Sequence, residues 1–328
     1  NKMSSKLEGS KTFTKKLCKK YNIPTSKFDI FENKKDAKKF LSNSIFPLVI
    51  KADGLAAGKG VYICNNSSEA LNSVDEIFDG RFGKADCILI EEFLKGEEMS
   101  YFIITDGKTF KPFQTAQDHK RVGEGDVGKN TGGMGAYSPS RLINNELQNK
   151  IDEKIVKPTL KGLNDLNCDY IGFLYVGLMI INNEPFLIEF NVRMGDPECQ
   201  TILPLLNSDL GKIINACCIE KLSSIEINWL SKKSLCIVLC SNGYPDKYNK
   251  DIKIENLNKI KLNKNSLIFH AGTKLVNKDI FAIGGRVLNI VNVSNNFNES
   301  KKQTLTILKD INWTKGFYRK DIGYKVIS

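Results

Sequence analysis

Lys51-Ala-Asp-Gly-Leu-Ala-Ala-Gly-Lys-Gly-Val61 is the stretch on which the reading of this chain turns. It sets a glycine-rich, doubly basic loop between Leu48-Val-Ile50 and Val61-Tyr-Ile-Cys64, and both flanks have the β-branched and aromatic content of strands. A P-loop runs from strand into helix with the pattern Gly-x-x-x-x-Gly-Lys-Ser/Thr. Here the pattern is Gly54-x-x-x-Gly58-Lys59-Gly60, which excludes it. The dinucleotide fingerprint fails as well, because Gly58-x-Gly60 leads into Val-Tyr-Ile with no third glycine and no helix start. What fits is a flap between paired strands, its backbone N–H groups free to face phosphate oxygens because glycine has no side chain to block approach.

Working outward, residues 46–104 alternate strand, loop, strand, helix (67–79), strand (87–93) and strand (99–104), an α+β lobe carrying the flap. Before it, Phe13, Leu17 and Tyr21 recur at helical spacing over 11–22, ended by Pro24. After it, 105–137 becomes strongly glycine-rich. A helix is predicted over 144–166, with Leu147, Ile151 and Ile155 on one face and a kink at Pro158. A hairpin follows, 172–181 and 186–192, joined by Asn182-Asn183-Glu184-Pro185. A helix at 208–222 and a polar boundary at 223–233 precede a last portion with short strands (235–240, 267–270, 284–292) and a helix near 299–310.

The totals narrow the function classes. With 328 residues the chain can hold two or three domains, and 41% hydrophobic with 26% charged residues is a globular balance. The longest apolar runs, 235–240 and 173–181, are far short of a membrane span, and the polar start shows no signal-peptide pattern. Net charge is +11, from 48 basic and 37 acidic side chains. The lysines are scattered among asparagines with no nucleic-acid motif, so they read as surface composition whose field assists capture of anionic substrates. Nine cysteines without metal-ligand spacing read as reduced core residues of a cytoplasmic protein. Two histidines, His119 and His270, exclude chemistry built on several.

Three stretches carry chemistry. On the strand 186–192, alternation places Leu187, Glu189 and Asn191 on one face and Phe186, Ile188 and Phe190 on the other. Glu189 and Asn191 are hard oxygen ligands suited to Mg²⁺ shared with nucleotide phosphates. The strand 88–94 ends in Glu91 and Glu92. Its backbone at Glu91, Phe93 and Leu94 could serve an adenine edge, with Glu98 accepting from ribose hydroxyls. Asp118-His-Lys-Arg121, followed by Gly123-Glu-Gly-Asp-Val-Gly128 and Asn130-Thr-Gly-Gly-Met-Gly135, reads as a charged cluster on a lid that closes over reactants.

Leu7-Glu-Gly-Ser-Lys11, the flap, Gln117-Asp-His-Lys-Arg-Val-Gly123, Asn130-Thr-Gly-Gly-Met-Gly-Ala-Tyr-Ser-Pro139, Gly172-Phe-Leu-Tyr, Ile188-Glu-Phe-Asn191, Arg193-x-Gly-Asp-Pro-Glu198, His270-Ala-Gly-Thr-Lys274 and Gly284-Gly-Arg-Val-Leu288 follow one another in an order that resembles the phosphoribosylamine–glycine ligases of the ATP-grasp superfamily. The resemblance implies an α+β ATP-grasp fold, two lobes clamping ATP, followed by a small β-rich C-terminal domain. Residues 1–45 would open the ATP-grasp region, 46–104 form its small lobe, 105–224 its large lobe with the metal site, and 225–328 the β-rich domain. The implied reaction joins glycine to 5-phosphoribosylamine with ATP through glycyl phosphate, a step of purine biosynthesis, in a monomer without nucleic-acid or membrane partners.

By position, the resemblance assigns Lys11, Lys51, Gly54, Gly58, Lys59 and Gly60 to ATP phosphates and Glu91, Glu92, Phe93, Leu94 and Glu98 to adenosine. It assigns Glu189 and Asn191 to Mg²⁺ or Mn²⁺, and Arg193, Asp196, Asp118, Lys120 and Arg121 to glycine and the intermediate. Many ATP-grasp enzymes carry a further metal-binding carboxylate where this chain has Gly177. The chain starts at Asn1 and has no counterpart of the α/β domain that opens family members, so a fragment is expected. Two alternatives stay open: a truncated chain that binds Mg-ATP without turnover, and a ligase for another carboxylate.

Overall fold

In the computed structural model, which describes residues 2–54 and 60–327, the chain divides into two compact units. One comprises 1–112, 142–193 and 216–222; the other comprises 113–141, 194–215 and 223–328.

The first unit opens with a short helix α1 (Lys6–Gly9) and α2 (Lys11–Tyr21). Ser10 caps α2 by accepting the Phe13 N–H, and Asn22 stops it in the left-handed conformation. Four strands, β1 (Phe28–Phe31), β2 (Leu48–Ala52), β3 (Val61–Cys64) and β4 (Ile88–Glu92), form an antiparallel sheet in the order β1-β4-β2-β3. Helices α3 (Lys34–Leu41) and α4 (Ser67–Phe78) supply Ala37, Leu41, Val74 and Ile77 to a core shared with Ile50, Ile88 and Ile90. Because strand side chains alternate, Lys51 and Glu91 fall on the opposite face.

A second sheet contains β5 (Glu97–Asp106), β6 (Phe110–Pro112), β11 (Ile171–Ile181) and β12 (Glu184–Asn191), in the order β12-β11-β5-β6. The flap-bearing sheet thus takes in β1 and leaves out β5, which runs beside β11 from Glu97 to Asp106. One face carries Met99, Tyr101, Ile103, Leu174, Val176 and Leu178 into a core with Leu17, Leu147, Ile151 and Ile155. The helical stretch over that core is α5 (Asn145–Ile151), a π turn (Asp152–Val156) and α6 (Lys157–Asn164). A wide turn stands where a kink was predicted, and it relieves Pro158, which has no N–H and crowds the carbonyl four residues back.

The β11–β12 turn is shorter than predicted. Only Asn182 and Asn183 form it, with φ of 51° and 60°, the conformation a two-residue hairpin loop demands. Glu184 and Pro185 belong to β12, an edge strand where a proline breaks no ladder on its outer side.

The alternation predicted for β12 also needs correction. Gly177 pairs with Glu189 but Leu178 pairs with Leu187, so Ile188 is an extra residue in a bulge. Leu187 therefore joins Phe190 in the core, while Glu189 and Asn191 share the other face.

The second unit is built on a sheet of six strands. Its members are β7 (Gln117–Asp118), β10 (Gly135–Ser138), β13 (Lys233–Ser241), β15 (Ser266–His270), β18 (Arg286–Ser294) and β19 (Gly316–Phe317). The order is β15-β18-β13-β10-β7, with β19 on β13. Beside it lie a hairpin of β8 (Arg121–Gly123) and β9 (Val127–Asn130), and a small sheet of β14 (Ile252–Lys253), β16 (Thr273–Val276) and β17 (Asp279–Ala282). Helix α7 (Glu198–Ile202) and the start of α8 (Leu210–Cys218) belong here, as does α9 (Phe297–Ile311), which packs on β13 and β18 with Ile307, Leu308 and Ile311 buried.

The glycine-rich stretch expected as a lid is part of this construction. β7 and β10 are sheet strands, and the β8–β9 turn is tied down by Arg319, Asp321 and Tyr324. Gly133 serves close packing: a Cβ there, where φ is +112°, would stand 2.5 Å from Pro197 Cδ and 2.8 Å from Asp118 Oδ1.

Candidate active site

In the first unit, a lysine cluster surrounds one buried carboxylate on the polar face of the flap-bearing sheet. Lys51 Nζ donates to Glu91 Oε2 at 2.9 Å, Ser26 Oγ donates to it at 2.7 Å, and Lys15 Nζ lies 3.2 Å away. Lys15 also donates to Thr25 Oγ1 and Ser26 Oγ at 2.6 and 2.7 Å. Burial works to raise the Glu91 pKa, but Lys51, Lys15 and the Ser26 hydrogen bond outweigh it and hold the carboxyl below its ordinary range. Glu91 is only 4% exposed, and its Oε1 has no hydrogen-bond partner among the described residues. Lys15 is a member of this cluster that the sequence reading missed; its i+4 spacing from Lys11 on α2 was the available signal.

Lys11 donates its Nζ to the Gly54 carbonyl at 2.8 Å. Burial pulls its pKa down, against the attraction of Glu189 from one sheet and of Asp53 and Glu91 from the other. Lys11 thus lies within the field of both polar faces.

The flap is rooted at Asp53, which the sequence reading did not single out. Its carboxylate accepts the Thr12 N–H and Oγ1–H at 3.0 Å each and the Ser10 Oγ–H at 3.1 Å, fastening the end of β2 to the positive N-terminus of α2. The Ala52 N–H donates to the Gly60 carbonyl at 2.8 Å and closes the neck of the flap. Gly54, at φ +93°, begins it. Gly58 and Lys59 lie outside the described residues.

Glu189 and Asn191 share the polar face of the second sheet with Ser100 and Tyr175, whose hydroxyls are 3.3 Å apart. Among the described residues no three His, Cys, Asp or Glu side chains gather as a metal cage. A carboxylate and an amide oxygen on one strand face fit a hard divalent cation that takes its remaining ligands from phosphates and water.

Of the residues expected at adenosine, Glu91 lies inside the ladder, opposite Phe28 and Val49, and turns its side chain to the lysines. Glu92 accepts the Lys27 N–H at 2.8 Å. Phe93 and Leu94 follow the end of β4, with Phe93 exposed, and exposed Glu98 lies in β5 opposite Met179. Arg193 pairs with Glu8, at 3.1 Å through Nε, and Glu8 also accepts the Val192 N–H at 3.0 Å. Glu8, from the Leu-Glu-Gly-Ser motif, is a further residue that sequence reasoning quoted without giving a role.

The second unit holds Asp118, Lys120, Arg121 and Asp196. Asp118 lies opposite Ala136, which lies opposite Cys236, so the three share a sheet face. Lys120 offers its carbonyl to Thr131 N and Oγ1 at 2.8 Å each, and Arg121 donates to the Gly128 carbonyl at 2.8 Å. Arg286, from the Gly-Gly-Arg motif, links Asp196 to the glycine-rich turn: it donates to the carbonyls of Gly132 and Asp196 at 2.7 Å each and lies 3.2 Å from Asp196 Oδ1.

Residues 9–199 match the ATP-grasp (A) domain of phosphoribosylglycinamide synthetase, and residues 234–325 match its C domain. A chloroplastic phosphoribosylamine–glycine ligase of Arabidopsis thaliana is 45% identical over 98% of this chain, which spans 62% of that protein. A phosphoribosylamine–glycine ligase of Brucella melitensis is 43% identical over the whole chain, which spans 77% of it. Among solved structures, a phosphoribosylamine–glycine ligase from Thermotoga maritima superposes with a TM-score of 0.86 at 32% identity, covering 97% of this chain and 80% of that one.

Proposed function

Because this chain belongs to the phosphoribosylglycinamide synthetase family, we propose that it joins glycine to 5-phosphoribosylamine with ATP, giving glycinamide ribonucleotide, ADP and phosphate. The observation that carries the reading is the pair Glu189 and Asn191 on one strand face.

A carboxylate is a poor acyl donor at neutral pH. The chemistry therefore begins when a glycine carboxylate oxygen bonds to the γ-phosphorus and the bond to the β,γ-bridging oxygen breaks, its electron pair leaving with ADP. The phosphoribosylamine nitrogen then attacks the acyl carbon of glycyl phosphate, phosphate leaves, and the nitrogen gives up a proton. Lys11 and Lys51 hold the phosphates. Glu189 and Asn191 would hold a divalent ion, magnesium or manganese, which when bound would supply positive charge against the triphosphate. In the first unit Arg193, fixed by Glu8, is assigned to glycine, and in the second unit the Asp118–Arg121 segment and Asp196 carry that assignment. Holding the reacting groups together and away from water protects a hydrolysable acyl phosphate.

The test is phosphate release from ATP by the purified protein with a divalent metal. Release that requires both glycine and phosphoribosylamine, and disappears in Glu189→Ala, is expected. ATP binding without such turnover reduces the reading to a nucleotide-binding chain, and turnover with a different acid in place of glycine replaces the substrate.

A further inference from the structure

We propose that the C-terminal stretch 319–324 is a positioning device for the 118–121 segment, acting through His119 and the carbonyl of Arg121. The proposal rests on the reading of Asp118, Lys120 and Arg121 as the groups that orient glycine.

Alternation along β7 sends Asp118 to the face of Cys236 and His119 to the opposite face, among Gln117 and Tyr137. His119 is 3% exposed. Its Nε2 accepts the Gly323 N–H at 3.1 Å, which places the ring proton on Nδ1, 3.4 Å from Asp126 Oδ1. Asp126, in the β8–β9 turn at φ 55°, also accepts from Arg319 at 2.7 Å and from the Tyr324 hydroxyl at 2.9 Å.

Arg319 is 1% exposed and serves four acceptor oxygens at once: one of Asp126, both of Asp321 at 2.8 and 2.6 Å, and the Arg121 carbonyl at 2.9 Å. The Gly125 N–H donates to Asp321 at 2.8 Å and the Lys320 N–H to Glu124 at 2.9 Å, so the two chain segments are laced in both directions. Only a planar guanidinium with its forked donors spans such a set; an ammonium cannot. Burying a charged network is a poor route to stability compared with apolar packing, and its attested return is a unique geometry. Here that geometry is imposed on the backbone on either side of Lys120.

Arg319→Lys and Tyr324→Phe test this in the full chain. Tyr324 is partly exposed, so its variant folds even where Arg319→Lys does not. The glycine KM is expected to rise about tenfold in Arg319→Lys, which breaks up a fork of charge-assisted bonds, and a few-fold in Tyr324→Phe, which removes one hydroxyl donor to the Asp126 carboxylate. The ATP KM stays within about twofold, and amide exchange quickens over 119–131. An Asp118→Asn control separates the two layers. If that control raises the glycine KM while both C-terminal variants leave it unchanged, the positioning role is overturned and the site reading stands. If Asp118→Asn leaves glycine kinetics intact, the site reading fails and the proposal falls with it. Unchanged exchange over 119–131 in both variants overturns the clamp whatever the kinetics.

Discussion

Gly177 lies directly across the β11–β12 hairpin from Glu189, and a Cβ at Gly177 would stand 3.2 Å from Glu189 Cγ and 3.0 Å from Tyr175 Cε1. The space over Gly177 is therefore narrowed by the stem of Glu189 and the ring of Tyr175. Gly177→Asp is expected to overpack this spot, costing about 1–3 kcal/mol of stability and pushing Glu189 aside. Although a carboxylate is added, ATP-dependent phosphate release should fall by about tenfold, equivalent to about 1.4 kcal/mol of barrier. Faster turnover or tighter magnesium binding in a calorimetric titration would show that the site has room for a third ligand.

Asp53 supplies the second prediction. Asp53→Asn keeps the size of the side chain but turns one acceptor into a donor, facing the Thr12 N–H, Thr12 Oγ1–H and Ser10 Oγ–H that the carboxylate now satisfies. Loss of a charge-assisted contact at a helix N-terminus is worth about 1–3 kcal/mol. Because Gly54, the first residue of the flap, follows Asp53, the ATP KM should rise about tenfold with kcat nearly unchanged. Steady-state kinetics with varied ATP check it; a fall in kcat at constant KM would place the role of Asp53 elsewhere.

Lys51 and Glu91 form a buried pair, so removing one partner has two effects. Lys51→Met should weaken ATP by about 1.5–3 kcal/mol through the lost phosphate contact. It should also lower stability by about 3 kcal/mol, because Glu91 keeps only Lys15 and Ser26. Adding Glu91→Gln removes the stranded charge, so thermal stability should partly return while ATP affinity stays weak. Full recovery of nucleotide affinity in the double variant, measured by titration, would show that Lys51 acts only on Glu91.

What could be read from the chain was local. Phe13, Leu17 and Tyr21 marked α2, the two asparagines marked the β11–β12 turn, and the β-branched flanks 48–50 and 61–64 marked the paired strands β2 and β3, since each signal lies within one element. What escaped was set by partners distant in sequence. The bulge at Ile188 depends on how β12 meets β11, and it reverses which face Leu187 takes. β5 looked like a neighbour of β4 but pairs with β11, which begins at Ile171. The glycine-rich stretch read as a lid because nothing near it announces Arg319 and Tyr324. Asp53 and Glu8 looked like ordinary motif residues until Thr12 and Arg193 stood beside them.

The last prediction concerns acid. Burial holds the His119 pKa below its ordinary 6.5, with Arg319 and Lys325 pushing the same way and only Asp126 opposing. The unfolded chain binds a proton near 6.5 that the folded chain refuses, so this contribution is complete above 6.5 and is lost as pH falls toward the folded value. Asp126, held below its ordinary 3.8 by His119, then by Arg319 and Tyr324, contributes stability that is present above 3.8 and goes only in stronger acid. Asp321, paired with Arg319 and also held low, behaves likewise. Loss of stability as pH falls below about 6.5 is therefore expected from His119, with a limiting slope of about 1.4 kcal/mol per pH unit. In His119→Gln, the side-chain amide can still donate to Asp126 and its oxygen can accept the Gly323 N–H, but it carries no titrating proton. Thermal unfolding across this range should show the slope in the parent protein and its loss in the variant, while the steeper fall below about pH 4 remains in both. An unchanged slope in His119→Gln would remove His119 as its source.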